Sequence, residues 1–230
     1  MPRCRSRRCW PPRRPERILW SWASLSDPLA DGPVIHDAAT RALAAGATPD
    51  SVLALCERVA EAVPVVLMVY ANIVLSTGGR DAFVSRAAAA GAVGVIVPDL
   101  PHDEAEELRE ACDAARLALV PLVAPSTPPE RLGAVGRDAR GFVYAVSVTG
   151  TTGERDELPP GLQGLVGRAK AATDLPVAVG FGISTAEQAR RVSDVADGVI
   201  VGTRMVRAAA EGGAEAVGAT VAELGKAMEK

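Results

Sequence analysis

Residues 175–206 read LPVAVGFGISTAEQARRVSDVADGVIVGTRMV and contain two apolar runs, each followed by a glycine turn and a helical stretch. The runs at 176–182 and 198–203 are almost wholly apolar, as expected for parallel strands that are buried on both faces. Parallel neighbours need a crossover connection, so the alternation of strand and helix predicts right-handed βαβ units. This stretch therefore predicts an α/β fold built on a parallel sheet.

The same alternation extends through the chain from residue 25 onward. Further strands are predicted at 63–70, 93–99, 117–124 and 141–147. Helices are predicted at about 35–46, 49–62, 79–90, 102–115, 128–137, 160–173, 184–194 and 204–229. A repeat of roughly 25–35 residues is typical of a (β/α)8 TIM barrel. Six strands are clear where such a barrel needs eight, so we expect an α/β barrel that is N-terminally truncated or frameshifted.

Composition excludes several classes of protein. The 230 residues suffice for one domain with a sizeable core, and a net charge of −3 gives no reason to expect nucleic acid as a partner. The apolar runs are short and broken by Pro, Gly or Asp, so none is predicted to span a membrane. Cys56, Cys112, His36 and His102 lack the spacing of metal ligands. We therefore expect reduced thiols, no metal site and a cytoplasmic location.

Polar and glycine-rich loops follow the predicted strands, where the chemistry of such barrels is located. The loop SDPLADGP at 26–33 holds Asp27 and Asp31, which either take part in chemistry or cap the following helix. The loop SVTGTTG at 147–153 has the glycine and threonine content of a lid or an anion-binding turn. A plain flexible loop is the alternative interpretation of the second segment.

Two further glycine turns, GFGIS at 180–184 and GT at 202–203, each open a helix after one of the last two strands. Glycine lets a phosphate approach the backbone, and the N-terminus of a helix favours negative charge. The loops after the last two strands form the usual phosphate site of TIM barrels. The pair of turns predicts a phosphate-binding site, with a merely structural role as the alternative.

Residues 1–24 differ from the rest of the chain. They hold seven arginines and one acidic residue, and their prolines interrupt both helical and strand patterns. The apolar core of a secretory signal is lacking, whereas a transit peptide or a polyanion-binding arm fits on charge alone. The sequence therefore predicts an aberrant Arg/Pro-rich segment at 1–24 and a phosphate-binding (β/α) barrel domain at 25–230.

Several segments of the chain resemble the tryptophan synthase α chain family. They follow one another in the family's order: SDPLADGPVI (26–35), VVLMVYAN (65–72), GVIVPDLP (94–101), LVPLVAPSTP (119–128), GFVYAVSVTGTTG (141–153), LPVAVGFGIS (175–184) and ADGVIVGT (196–203). The resemblance covers about residues 25–206, and it implies a TIM barrel that cleaves indole-3-glycerol phosphate by a retro-aldol reaction. The products would be indole and glyceraldehyde 3-phosphate. The alternatives are a catalytically impaired binding module and another phosphate-binding barrel, such as an indole-glycerol-phosphate synthase.

The resemblance also implies roles for individual residues. Asp31 matches the catalytic aspartate that holds the indole N–H, and Tyr144 matches a residue that lines the same pocket. Leu67 is similar to the apolar wall under the indole ring, although core packing explains it equally well. The phosphate cradle and its lid are implied at Thr152, Gly153, Gly182, Gly202 and Thr203.

A partner protein follows from the same resemblance. The family's α chain joins a β subunit in an α2β2 heterotetramer, and Asp27 is similar to a contact for that subunit. Pyridoxal phosphate is expected in the β subunit, and no cofactor is expected in this chain.

The family's second catalytic carboxylate is absent from this chain. It is a glutamate in a Glu-[Leu/Val]-Gly-[Val/Ile]-Pro motif, and counting back from the SDPLADGP loop places it at Trp20. Tryptophan cannot transfer a proton as a carboxylate does. If Ser21 is encoded by AGC or AGT, the codons of residues 20–23, read from the third base, give Glu-Leu-Gly. We therefore hypothesise that residues 1 to about 24 are an out-of-frame translation whose frame is restored near Ser24.

Overall fold

The computed structural model describes residues 20–22, 31–146, 160–180 and 182–229, and of residues 20–22 it describes the backbone alone. Its strands form two parallel four-stranded sheets, in the orders β1-β2-β3-β4 and β5-β6-β7-β8. The first sheet consists of β1 (Trp20–Trp22), β2 (Val65–Met68), β3 (Gly94–Ile96) and β4 (Ala118–Leu119). The second consists of β5 (Leu122–Val123), β6 (Val143–Val146), β7 (Val177–Gly180) and β8 (Gly198–Ile200).

Helices connect successive strands of both sheets. They are α1 (Pro33–Ala44), α2 (Pro49–Ala60), α3 (Ala71–Ser76), α4 (Arg80–Ala89), α5 (Glu106–Ala115), α6 (Pro129–Asp138), α7 (Leu162–Ala172), α8 (Ala186–Ser193) and α9 (Thr203–Met228), together with a 3-10 turn at His102–Glu104. Strand and helix alternate as the sequence predicts, and the parallel pairing confirms the α/β class.

Contacts divide the chain into two compact units. The first contains Ala39–Pro121 and Ala139–Gly141 together with β1, and the second contains the start of α1 from Asp31 to Ala38, Leu122–Asp138 and the described residues from Phe142 onward. Each unit thus holds one of the two sheets, and α1 is divided between the two units.

The core of the first unit lies between its sheet and its helices. Val65 and Leu67 alternate along β2 and belong to one apolar cluster with Phe83 of α4 and Cys112 of α5. Residues two apart on a strand point to the same face, so this face of β2 packs against helices. The cluster buries the apolar surface that stabilises the first unit.

The second unit is built on strands that differ in burial. All residues of β6 and β7 are buried, whereas β8 is only half-buried along its whole length. Among the described residues, β8 pairs with β7 alone and forms an edge of its sheet. Helix α7 contributes Leu165, Val166 and Ala169 to the buried interior.

The number of strands differs from the predicted six. The run at 117–124 is divided into β4 and β5 by Val120 and Pro121. Proline has no N–H to donate to a strand ladder, which accounts for the break. In addition, Trp20–Trp22 forms a strand that pairs with β2 in parallel, with Trp20 opposite Val65.

Helix boundaries also depart from the predictions, and α5 begins at Glu106 rather than at about 102, where a 3-10 turn lies. Helix α3 was not predicted, and it begins where the side chain of Asp99 accepts a hydrogen bond from Ala71 N at 2.9 Å. Helix α8 begins at Ala186, two residues later than expected. Helix α9 is broken at Gly212 and Gly213, whose backbone angles are not helical.

The described residues contain neither a membrane-spanning helix nor a cluster of metal ligands. None of the helices within 31–146, 160–180 and 182–229 is long and apolar enough to cross a membrane. The same residues contain no group of three or more His, Cys, Asp or Glu side chains that could hold a metal ion.

Candidate phosphate and active site

The two predicted glycine turns lie side by side at the carboxyl ends of β7 and β8. The parallel register pairs Ala178 with Gly198 and Gly180 with Ile200. Gly182 and Gly202 each follow this last pair by two residues, and neighbouring strands lie about 4.8 Å apart. The fold therefore brings both turns to the same edge of the second sheet.

The first turn leads into a capped helix. Gly182 has a φ of +82°, a left-handed conformation that glycine adopts readily, and Ile183 beside it is buried. Thr185 caps α8, because its Oγ1 accepts a hydrogen bond from Gln188 N at 3.2 Å. The cap explains why the helix starts after Thr185 rather than at residue 184.

The second turn opens α9, as the sequence predicts. Gly202 is the N-cap residue, and its carbonyl oxygen accepts hydrogen bonds from Met205 N at 2.9 Å and Val206 N at 3.1 Å. Thr203 is the first residue of the helix. The positive ends of α8 and α9 thus follow neighbouring strands, which is an arrangement that favours a bound anion.

Tyr144 on β6 packs directly against the backbone of β7. It is buried, and a Cβ atom added to Gly180 would lie 2.6 Å from its Cε2 and 2.7 Å from its Cζ. Only glycine at position 180 therefore leaves room for the ring. Burial raises the pKa of the Tyr144 hydroxyl, so this group remains protonated at neutral pH.

Asp31 lies two residues before α1 and is half-buried. Gly32 directly precedes the helix, and its carbonyl oxygen accepts hydrogen bonds from Ile35 N at 3.1 Å and His36 N at 3.0 Å. The Cδ1 of Ile35 lies 3.9 Å from where a Cβ on Gly202 would be. The structure therefore brings the start of α1, next to Asp31, to the second glycine turn.

Other residues singled out from the sequence lie elsewhere. Leu67 is buried in the apolar cluster of the first unit. Trp20 begins β1, and Asp27, Thr152 and Gly153 lie outside the described residues.

The structure adds a packing role for Gly180, which lies against the Tyr144 ring, and a capping role for Gln188. Both carry a recognisable signal in the sequence: a glycine inside an apolar strand marks a close approach, and Thr185 followed by Gln188 forms a capping box.

Comparison with known proteins identifies the family. The family model for the tryptophan synthase alpha chain matches residues 23–230. The chain belongs to the tryptophan synthase α chain family. Among curated members, the α chain of Synechococcus sp. (strain CC9902) is 49% identical over 203 residues, which is 87% of this chain and 74% of that protein. The α chain of Carboxydothermus hydrogenoformans is 50% identical over 183 residues, or 79% and 68% of the two chains.

Solved structures support the same assignment to the tryptophan synthase α chains. A structure of Mycobacterium tuberculosis tryptophan synthase has a TM-score of 0.83 and 43% identity, covering 89% of this chain and 78% of that one. A protein from Aquifex aeolicus VF5 has a TM-score of 0.84 and 35% identity, covering 92% and 82%. This similarity confirms the TIM-barrel fold class.

The family defines the reaction. A tryptophan synthase α chain is a lyase of tryptophan biosynthesis that cleaves indole-3-glycerol phosphate. Residues 1–22 fall outside the match to the family model.

Proposed function

We propose that this α chain binds the phosphate of indole-3-glycerol phosphate at the Gly182 and Gly202 turns, with Asp31 acting on the indole ring. The observation that carries this proposal is the register of β7 and β8, which sets both turns at one sheet edge with the N-termini of α8 and α9. A dianionic phosphate is stabilised by the backbone N–H groups and positive ends of two such helices. Thr203 adds a hydroxyl at the start of α9.

Asp31 has the chemistry that the cleavage requires. During the retro-aldol reaction, C3 of the indole ring gains a proton and the side-chain hydroxyl next to the ring loses one. The bond between C3 and the carbon that carries this hydroxyl breaks. A carboxylate that accepts a hydrogen bond from the ring N–H stabilises the positive charge that develops on the ring. The position of Asp31 before α1, whose Ile35 reaches the Gly202 turn, supports this role. We propose that Tyr144, which is buried in the same unit and keeps its hydroxyl protonated, lines the pocket for the indole ring.

The general acid–base is the missing element of this chain. The family's glutamate corresponds to Trp20, which can neither give nor take the proton. We propose that residues 1 to about 24 are translated out of frame and that the corrected reading restores Glu-Leu-Gly. Genomic DNA around codons 15–25 tests this directly. A GAG in the shifted frame, continuous with the upstream coding sequence, is the expected result, whereas an uninterrupted frame encoding Trp20 would overturn the proposal.

The wider setting of the enzyme follows from the family. We propose that the chain joins a tryptophan synthase β subunit in an α2β2 assembly, that pyridoxal phosphate resides in that subunit, and that the complex is cytoplasmic. Asp27 is proposed as a contact for the β subunit. Co-purification of the tagged chain with the β subunit of the same organism checks this assembly, and Asp27→Ala is expected to weaken it.

Binding and turnover are tested separately. We expect the frame-restored protein to bind glycerol 3-phosphate in titration calorimetry and to release indole from indole-3-glycerol phosphate. Binding without indole release by the frame-restored protein would favour the alternative function, a binding module. Absence of phosphate binding would overturn the assignment of the two glycine turns.

A further inference from the structure

Gln188 is an unusual residue for its position. It lies in the first turn of α8, yet its side chain is only 5% exposed, and Thr220 is the other buried polar or charged residue of the described chain. A buried amide must find hydrogen-bond partners, because an unsatisfied polar group in the interior destabilises the fold. The partners of Gln188 therefore indicate what it holds in place.

Those partners belong to the turn that precedes α8. The Oε1 of Gln188 accepts hydrogen bonds from Ser184 N at 2.8 Å, from Thr185 N at 3.2 Å and from Ser184 Oγ at 3.2 Å. In return, Gln188 N donates to Thr185 Oγ1 at 3.2 Å. One side-chain oxygen thus ties two successive backbone amides between Gly182 and the helix.

This arrangement fixes the side of the glycine turn that leads into α8. Ile183 is 3% exposed and anchors the turn in the interior, while Gln188 holds the next two amides. Gly182, with its φ of +82°, immediately precedes these anchors. The Ser184 and Thr185 amides already donate to Gln188. An anion bound at this turn therefore has to be held by other backbone groups, above all by Gly182.

We propose that Gln188 is the positioning residue of the phosphate-binding turn. Its Oε1 holds the backbone at Ser184 and Thr185 so that Gly182 stays in the conformation that receives the phosphate, without touching the ligand itself. Preorganisation of this kind raises affinity because the turn need not be ordered on binding. The inference rests on the phosphate site proposed above and adds a residue that controls it.

The chain offers a matched pair of variants for the test. Gln188→Met keeps the length of the side chain but removes the amide oxygen, because a thioether is a weak acceptor. Thr185→Val removes the other half of the same capping box and leaves the Gln188 oxygen in place. Both variants lose helix-capping hydrogen bonds, but only the first releases the amides of Ser184 and Thr185.

The experiment measures dissociation constants of the full chain for two probes, glycerol 3-phosphate and the phosphate-free ligand indole. We expect Gln188→Met to weaken glycerol 3-phosphate binding about tenfold, because the turn must then be ordered when the ligand binds. Indole affinity should stay within about twofold of wild type, and Thr185→Val should leave both affinities nearly unchanged. Hydrogen exchange at Ser184 and Thr185 is expected to accelerate in Gln188→Met.

Three outcomes overturn the proposal in different ways. Unchanged glycerol 3-phosphate affinity in Gln188→Met would show that Gln188 only caps the helix. Equal losses for both probes, or equal losses in both variants, would show a general effect on stability. If the wild-type chain binds indole but not glycerol 3-phosphate, the assignment of the phosphate site is wrong. The proposed role of Gln188 is then wrong as well.

Discussion

The two sheets of this molecule differ in what their strands carry. In the second sheet, glycine turns follow β7 and β8, and Tyr144 of β6 packs on the backbone of Gly180. In the first sheet, β2 contributes to an apolar cluster, and β1 begins with Trp20, the position that we propose for the family's glutamate. On this proposal, the groups suited to phosphate binding and the position of the general acid–base lie on different sheets. We therefore expect phosphate binding by the second sheet to persist even if the 230-residue chain does not turn over its substrate.

The largest effect on turnover is expected for Asp31, the residue of the second unit that we propose to act on the indole ring. In the frame-restored protein, Asp31→Asn should reduce indole release by about two orders of magnitude or more, because the amide cannot stabilise the positive ring. Affinity for indole-3-glycerol phosphate should remain roughly intact. Steady-state kinetics check both values, and Asp37→Asn, an exposed carboxylate of α1, serves as the control. Near-normal turnover in Asp31→Asn would reduce Asp31 to a turn former.

The next effect concerns the phosphate turn of the second sheet. Gly182→Asp should raise the dissociation constant for glycerol 3-phosphate by about tenfold or more, because a carboxylate at the turn repels the ligand. Gly182→Asn imposes the same strain at a φ of +82° without the charge, so it separates repulsion from backbone cost. Titration calorimetry on the three proteins provides the measurement. If Gly182→Asp and wild type bind glycerol 3-phosphate with equal affinity, the phosphate does not bind at this turn.

A third prediction concerns packing between β6 and β7. Gly180→Ala should destabilise the fold by about 1–3 kcal/mol, because the new methyl group overlaps the ring of Tyr144. Gly198→Ala on β8 is the matched control, since its nearest contact would be 3.3 Å away. Denaturant unfolding measures the loss.

A double variant sharpens this third test. Gly180→Ala combined with Tyr144→Leu should lose less stability than the sum of the two single variants, because the shorter side chain gives space to the methyl group. Strict additivity would contradict the close approach of Tyr144 to the β7 backbone.

The smallest effect lies in the core of the first unit. Burial, and then the charge of Asp113, raise the pKa of Cys112 from 9.0 to about 12. The unfolded chain therefore releases this proton first, so the stabilising contribution is complete below pH 9 and is lost as the pH rises toward 12. The free energy of unfolding should fall across that window, and less steeply in Cys112→Ala. An identical slope in the variant would show that Cys112 makes no contribution to it.

The parts of the fold that were predictable share a local signal. The two glycine turns and the start of α9 at Thr203 follow from short apolar strands with glycine after them, and they were predicted at the right strand ends. The capping box of Thr185 is also visible in the sequence, but the helix predicted there begins at Ser184, one residue before the cap. Its side-chain hydrogen bonds place the helix at Ala186 instead.

Other features depend on contacts that are remote in sequence. Helix α3 has only six residues and begins with an amide that donates to Asp99, 28 positions away. The need for glycine at 180 arises from the Tyr144 ring on another strand.

The strand predicted at 117–124 is divided by Pro121, a local signal that outweighs the apolar pattern around it.

We propose that the turnover of this tryptophan synthase α chain is limited by the segment containing Trp20. The most direct measurement compares indole release from indole-3-glycerol phosphate by the 230-residue chain and by the frame-restored, N-terminally extended protein, with thermal unfolding of both. We predict that only the frame-restored protein releases indole and that it melts at the higher temperature. If the 230-residue chain unfolds cooperatively at a similar temperature and releases indole at a comparable rate, residues 1–24 are native structure and the claim is wrong.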